Sequence, residues 1–287
     1  MFLQTYLEQE FERQTGVKDK GYIISVVDDW MNDLGFFKWR YDAFAEYLPG
    51  AKKLLDMGTG CGTCVFYGLM NGYDAYGIDP EEDKHDFIAM KAKEYGYPEE
   101  WLDHFFKGVG ERLPFPDDCF DLVTTYQTLE HVQDPYRAIE QMIRVTCPGG
   151  GIFIACPDYR SFYEGHYLLP WFPLFPRPLA RAYLRLLGRP TLGLDNLKYT
   201  TRPRVVEWIK KAGTELDAEL LIIDIDKQSF LEALRRRGLP VLPWLFPTYR
   251  GVCLFRRLFT SEISVNLFVK VVSKNKAGFR AKPITGE

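Results

Sequence analysis

The chain has 287 residues, enough to bury a large core as one domain with insertions. Its formal net charge of −3 and its pI near 5.9 disfavour general nucleic-acid binding, which calls for a basic domain. The first residues show no signal-peptide pattern, and no apolar run reaches the ~18 residues that a membrane span requires. We therefore expect a cytoplasmic protein, and we leave peripheral contact with a membrane surface open.

The first 48 residues are predicted to be helical. Residues 1–14 favour a polar amphipathic helix, and residues 24–47 favour one or two more, with a break at Gly35. Aromatic residues give the second stretch an aromatic face: Phe36, Phe37, Trp39, Tyr41, Phe44 and Tyr47. We interpret residues 1–48 as a helical cap segment.

A glycine-rich stretch follows a short apolar run that ends at Asp56. Gly58, Gly60 and Gly62 occupy alternate positions, which predicts a buried strand, a tight loop and a helix over about 63–70. The next strand, 75–79, ends in another carboxylate. In a right-handed βαβ unit both strand ends open on one edge of the sheet, where such folds bind ligands. An acid at the end of the second strand is placed to hydrogen-bond the two hydroxyls of a ribose.

Further elements alternate between helix and strand. We predict a charged helix at 81–95, a strand at 104–108, a strand at 119–126, a helix at 135–144 and a strand at 151–156. The six cysteines have no framework spacing. Cys61 and Cys64 form a C-x-x-C, which we interpret as small helix-packing residues rather than as a redox or zinc site.

The pattern D-x-G-x-G-x-G differs from the dinucleotide fingerprint, in which the third glycine comes three residues after the second. It resembles motif I of the class I S-adenosylmethionine-dependent methyltransferases. Residues 110–123 resemble the stretch of that family that leads into strand four, and residues 145–154 resemble its turn into strand five. The resemblance runs from about residue 50 to 158, with the motifs in the family's order.

The resemblance implies S-adenosylmethionine as the cofactor. The residues that it assigns to the cofactor are Asp56, Gly58, Thr59, Gly60, Gly62, Asp79, Pro80, Val109, Gly110, Glu111, Gln127 and Arg40.

Two of these assignments leave alternatives open. Arg40 could reach the methionyl carboxylate of the cofactor, but the interpretation that we favour is a surface arginine lying over aromatic rings. The family usually carries an acid before the Ala/Gly-Glu pair, to accept a hydrogen bond from the adenine amino group, and here that position is Val109. Adenine would then rely on the backbone of Gly110 and on apolar packing, with Glu111 and Arg112 as substitutes.

The segment after strand four supplies the catalytic candidates. Ubiquinone-biosynthesis and small-RNA O-methyltransferases are similar here, with E-x-x-E-H supplying metal ligands, but this chain has Gln127 in place of the first Glu. Because magnesium prefers charged oxygen ligands, we predict that no metal is bound. His131 would act as a general base, with Tyr126 and His166 as further catalytic candidates. A structural role for His131, capping the helix that starts near Asp134, is the alternative.

Residues 160–198 are predicted to be an insertion in the cap, rich in aromatic residues and proline. Four arginines recur in it at every fourth position: Arg177, Arg181, Arg185 and Arg189. A solvated helix face, a clamp for an anionic substrate group and docking on an anionic membrane all fit this stripe. The basic run 235–237 is likewise followed by an apolar stretch, 241–246, which again combines arginines with large apolar residues.

Beyond residue 198 the family pattern resumes. We expect a helix from Pro203 through Lys211 with Ala212-Gly213 as its stop signal, strands at 220–225 and 263–272, and a second insertion at 228–260. The fold class is α/β: a Rossmann-like seven-stranded sheet of order 3-2-1-4-5-7-6 with helices on both faces. The predicted parts are a cofactor-binding core at 49–159, its C-terminal part at 199–273 and a basic tail at 274–287.

The function predicted from this resemblance is methyl transfer from S-adenosylmethionine to a small molecule. A hydroxyl acceptor is preferred, on a sugar, a lipid-linked glycan or a polyketide-like compound, and an anionic acceptor is left open. A cyclisation with retained cofactor and a non-catalytic, partner-binding role are the alternatives. Nucleic acid is not an expected partner, and the oligomeric state is not predicted.

Overall fold

A computed structural model describes residues 2–32, 34–236, 245–256 and 263–275. The helices are α1 (Phe2–Thr15), α2 (Lys20–Asn32), α3 (Leu34–Tyr47), α4 (Thr63–Met70), α5 (Glu82–Tyr95), α6 (Pro135–Val145), α7 (Arg177–Leu186), α8 (Leu192–Asn196), α9 (Arg202–Glu215), α10 (Ile225–Arg236) and α11 (Phe246–Arg256). None of these helices is both long and apolar enough to cross a membrane.

One seven-stranded sheet organises the chain. Its strands are β1 (Lys53–Met57), β2 (Asp74–Asp79), β3 (Phe105–Lys107), β4 (Phe120–Tyr126), β5 (Thr146–Pro157), β8 (Ala218–Asp224) and β9 (Ser264–Lys274). The order is β3-β2-β1-β4-β5-β9-β8, and β9 runs antiparallel to both of its neighbours. The strands β6 (Tyr163–Glu164) and β7 (Leu169–Pro170) form a separate hairpin inside the insertion. The predicted fold class and strand order are confirmed.

Both faces of the sheet are covered. On one face α6 and α9 pack against the central strands, around Val123, Ile154 and Val205. On the other face α3 and α4 pack against β1 and β4 through Phe44, Val65 and other apolar side chains. This two-sided burial explains why the central strands read as near-continuous apolar runs rather than as alternating ones.

Several predicted boundaries are wrong. The helix break expected at Gly35 does not occur there, because Gly35 lies inside α3. The helix expected to stop at Ala212-Gly213 continues to Glu215. Gly213 lies within this helix and packs closely against β8, since a Cβ there would lie 2.6 Å from Leu220 Cδ1. Strand β5 begins at Thr146 instead of 151. Phe120 pairs with Thr146 but Leu122 pairs with Gly151, so the Cys-Pro-Gly-Gly segment bulges out of the ladder.

Some expectations lie outside the described residues. They are Arg237 of the second basic run, residues 241–244 of the apolar stretch and residues 276–287 of the tail.

Candidate active site

The glycine loop joins the end of β1 to the start of α4. Gly58 and Thr59 donate their backbone N–H groups to Ile78 O, at 2.9 and 3.1 Å, which ties the loop to β2. Gly58 has a φ of +76°, and a Cβ at this position would lie 2.2 Å from Thr128 Cγ2. Only glycine satisfies both demands.

Asp79 closes the other side of the loop, as its position at the end of β2 predicts. Its buried carboxylate accepts the Gly60 N–H at 3.0 Å and the Glu81 N–H at 3.1 Å. Burial, partly offset by these hydrogen bonds, raises the pKa of Asp79 above its usual value. A Cβ at Gly60 would meet no atom within 4 Å, so the loop presents bare backbone to open space beside the carboxylate. This combination fits a ribose-containing cofactor.

Arg40 reaches the end of β1 from helix α3. Its Nη2 donates to Thr124 Oγ1 at 2.7 Å and lies 3.7 Å from Asp56 Oδ1. The guanidinium lies over aromatic rings, 5.1 Å from the Tyr126 centroid and 5.4 Å from the Phe37 centroid. The expected stacking is confirmed, but the favoured surface position is wrong, because only 2% of Arg40 is exposed. Binding of the cofactor's carboxylate by Arg40 stays a prediction.

The acidic group Asp56 is fully enclosed. Burial raises its pKa to about 6, against the opposing effect of the Arg40 charge. The Asp56 carboxyl, which lies next to the glycine loop, therefore changes its charge slightly below neutral pH.

The residues expected at the adenine lie beyond β3. Gly110 is needed for close packing, since a Cβ there would lie 2.7 Å from Met57 Sδ, and Val109 is exposed. Glu111 Oε1 accepts the backbone N–H groups of Gln133 and Asp134, at 2.6 and 3.1 Å. The structure thus gives Glu111 a part in holding the start of α6, and an adenine contact from it stays a prediction. Pro80 is exposed directly after Asp79.

The segment after β4 turns sharply at its first residue. Gln127 adopts a left-handed conformation with φ of +51°, and its N–H donates to Ala155 O at 2.9 Å. The helix α6 is capped by the side chain of Asp134, which accepts the Arg137 N–H at 3.1 Å. The alternative role of His131 as the helix cap is therefore wrong.

His131 and His166 meet at the carboxyl edge of the sheet. Their Nε2 atoms are 3.3 Å apart, although the residues are 35 positions apart in the chain. Desolvation, with the neighbouring His166 as a second cause, lowers the pKa of His131. Its side chain still exposes 45% of its area, so a substrate can reach the ring. The structure therefore brings two of the three catalytic candidates together, and places the insertion beside β4.

Glu164 was missed by the sequence reasoning. Its buried carboxylate lies 2.7 Å from His166 Nδ1 through Oε1 and accepts the Tyr167 N–H at 2.7 Å through Oε2. A carboxylate can only accept, so it holds the His166 proton on Nδ1 and leaves Nε2 facing His131. The Glu-x-His spacing in the insertion was the available signal, but nothing local showed that the hairpin would bury the glutamate.

Glu130 is a second carboxylate beside the histidine pair, with its Oε1 3.8 Å from His131 Nε2. One ligand atom each from Glu130, His131 and His166 lies within 4.8 Å of the others, so these groups could hold a metal ion. One carboxylate and two imidazoles suit zinc or iron better than magnesium, which prefers oxygen ligands. The absence of a metal stays a prediction.

The part of the chain that contains the glycine loop and Asp79 is similar to known proteins. Residues 55–154 match the family model described as a methyltransferase domain. This segment is a class I S-adenosylmethionine-dependent methyltransferase domain. Its cofactor is S-adenosylmethionine, and the bare backbone at Gly60 beside Asp79 fits it.

The relatives of the methyltransferase domain are similar over part of their length. An uncharacterized methyltransferase of Schizosaccharomyces pombe is 34% identical over 141 residues, 43% of this chain and 49% of the relative. Norajmaline N-methyltransferase of Rauvolfia serpentina is 37% identical over 111 residues, 38% of this chain and 37% of the relative. The chain thus spans half or less of the length of these two relatives.

A solved structure agrees on the fold. The crystal structure of a proposed sarcosine dimethylglycine methyltransferase from Galdieria sulphuraria superposes with a TM-score of 0.51, at 13% identity, over 83% of this chain and 86% of that one. At this identity the likeness concerns the fold alone.

Proposed function

We propose that the chain transfers the methyl group of S-adenosylmethionine to a hydroxyl of a small-molecule acceptor. The observation that carries the proposal is the hydrogen-bonded series Glu164, His166 and His131 at the carboxyl edge of the sheet. When bound, S-adenosylmethionine supplies an already activated methyl group, so the protein's tasks are to align the acceptor and to remove its proton.

The residues of the series divide these tasks. Glu164 fixes the tautomer of His166 and balances the positive charge that the ring gains when Nε2 takes a proton. His131 borders the same nitrogen and keeps an open side toward solvent. Tyr126 lies at the end of β4 and packs against the Arg40 guanidinium, and a catalytic role for it stays a prediction. A neutral hydroxyl needs a base of this kind, which supports an oxygen acceptor over a nitrogen one.

The experiment begins with the acceptor. The full chain is incubated with methyl-labelled S-adenosylmethionine and fractionated metabolite extracts, and transfer of label to a small molecule supports the proposal. If the cofactor binds but no fraction accepts label, a retained-cofactor cyclisation or a non-catalytic role replaces it.

The base is then tested with variants. We expect His166→Gln to lower kcat about 100-fold or more, in line with general-base contributions, while S-adenosylhomocysteine affinity stays constant. The matched control is His104→Gln, since this histidine lies at the opposite edge of the sheet, with its Nδ1 2.9 Å from Ala75 O. Equal kcat in both variants would remove His166 from the mechanism.

A further inference from the structure

The insertion turns an apolar helix face outward. Leu179 and Leu186 are seven residues apart on α7, so they lie on the same face, and they are 59% and 84% exposed. Ala180 and Leu184, on the opposite face, are buried against Tyr167 and Trp171. In the loop that leads into α7, Phe172 is 65% exposed and Leu174 is exposed as well. Two large apolar side chains on α7 and two in the preceding loop are thus exposed to water, and exposed apolar surface of this kind often marks an interaction site.

The charge of the same segment has one sign. Residues 165–194 contain four arginines and no aspartate or glutamate, although the whole chain has a net charge of −3. Three of the arginines are engaged within the fold. Arg177 donates to the carbonyls of Leu194 and Leu197, Arg181 pairs with Asp195 at 2.7 Å, and Arg189 donates to the carbonyls of Thr15 and Tyr167. An anion clamp built from the whole stripe would require these contacts to break.

Arg185 differs from the other three. Its side chain is exposed next to Leu186 and makes no hydrogen bond or ion pair with any residue within the described ranges. The outward face of α7 therefore combines large apolar side chains with the Arg185 cation, which has no hydrogen-bond or ion-pair partner among the residues that the structure describes.

We propose that this face docks on the surface of an anionic lipid bilayer. Leu179, Leu186 and Phe172 would enter the boundary between headgroups and acyl chains, while Arg185 meets lipid phosphate or carboxylate groups. The absence of acidic side chains from residues 165–194 lowers the repulsion that such a surface would otherwise meet, and the flanking Asp195 is paired with Arg181. A helix of 10 residues cannot span the bilayer, so the contact is interfacial. The inference does not depend on which acceptor is methylated.

The test measures sedimentation of the full chain with vesicles. One set contains phosphatidylcholine with about one third phosphatidylserine, and the other contains phosphatidylcholine alone. We expect binding to the anionic set that weakens at high salt, and much weaker binding to the neutral set. Leu179→Ser with Leu186→Ser should lower the partition coefficient more than tenfold, and Arg185→Gln should lower it about fivefold.

Matched controls separate the face from general surface effects. Leu221→Ser changes an equally apolar, exposed residue on β8, and Arg204→Gln changes an exposed arginine on α9. Both controls should bind as the parent does. The proposal is overturned if the parent does not bind anionic vesicles, or if the double serine variant binds equally well. It is also overturned if sedimentation equilibrium shows a dimer of the parent that the double variant dissociates, because a second copy then covers the face.

Discussion

Arg40 Nη2 lies 3.7 Å from Asp56 Oδ1, and both side chains are buried beneath the aromatic cover of helix α3. The pair joins the helical cap segment to the first strand of the methyltransferase domain. A buried pair of this kind contributes little net stability, but loss of one partner leaves the other as an uncompensated charge.

The first prediction follows from this pair. Arg40→Met should raise the pKa of Asp56 above its value of about 6, because the Arg40 charge is the leading cause that opposes burial. Between pH 3.8 and about 6, the folded chain keeps the Asp56 proton that the unfolded chain releases. The free energy of unfolding that is linked to Asp56 therefore falls as the pH rises through this range. Carboxyl carbon chemical shifts followed against pH measure the midpoint. Lys38→Met, an exposed position on the same helix, should leave it unchanged.

The second prediction concerns cofactor binding. Asp79→Ala should weaken binding of S-adenosylhomocysteine about 10- to 100-fold, since a hydrogen bond to a charged group contributes about 1.5–3 kcal/mol. Part of the loss arises because Asp79 also braces Gly60 and Glu81. Calorimetry gives the affinity, with Asp83→Ala on the exposed side of α5 as the control. Unchanged affinity would show that the ribose is bound elsewhere.

The third prediction concerns metal dependence. Methyl transfer should continue in EDTA, because this chain has Gln127 where the metal-dependent O-methyltransferases that this segment resembles have the first glutamate of E-x-x-E-H. Turnover is measured before and after chelation, and then with added Mg²⁺ or Zn²⁺. Loss in EDTA with recovery in either metal would identify Glu130, His131 and His166 as a metal centre.

The fourth prediction uses a buried lysine. Lys91 Nζ donates to Trp30 O at 2.9 Å and to Thr63 Oγ1 at 2.5 Å, and burial lowers its pKa to about 8. The unfolded chain therefore binds more protons between pH 8 and 10.5, so stability linked to Lys91 rises with pH across this window. The rise can reach about 3 kcal/mol at about 1.4 kcal/mol per pKa unit.

The variant Lys91→Met should lose this rise. Urea unfolding at pH 8 and pH 10.5 measures the difference from the parent, and Lys93→Met, exposed on the same helix, should reproduce the parent. If the free energy of unfolding changed by the same amount between pH 8 and pH 10.5 in the parent and in Lys91→Met, the pKa of Lys91 would be the ordinary one in the folded chain.

The sheet and the glycine loop were predictable because their signals are local. The strand ends beside Asp56 and at Asp79, and the glycines at positive φ, are determined by short stretches of the chain. The burial of Arg40 was not predictable, because it depends on how α3 approaches β4 across 84 positions of the chain. The same holds for Glu164, whose role depends on the packing of a two-residue strand, and for Gly213, where packing against Leu220 overrides a local stop signal.

Arg189 donates to Thr15 O in the first helix and to Tyr167 O in the insertion, at 3.1 and 3.3 Å. The first helix in turn packs Leu3 and Leu7 around Cys61 of the glycine loop. The helical cap segment and the insertion are thus joined to each other by hydrogen bonds. We expect the two segments to move together, so that any opening above the glycine loop is one hinge motion rather than two.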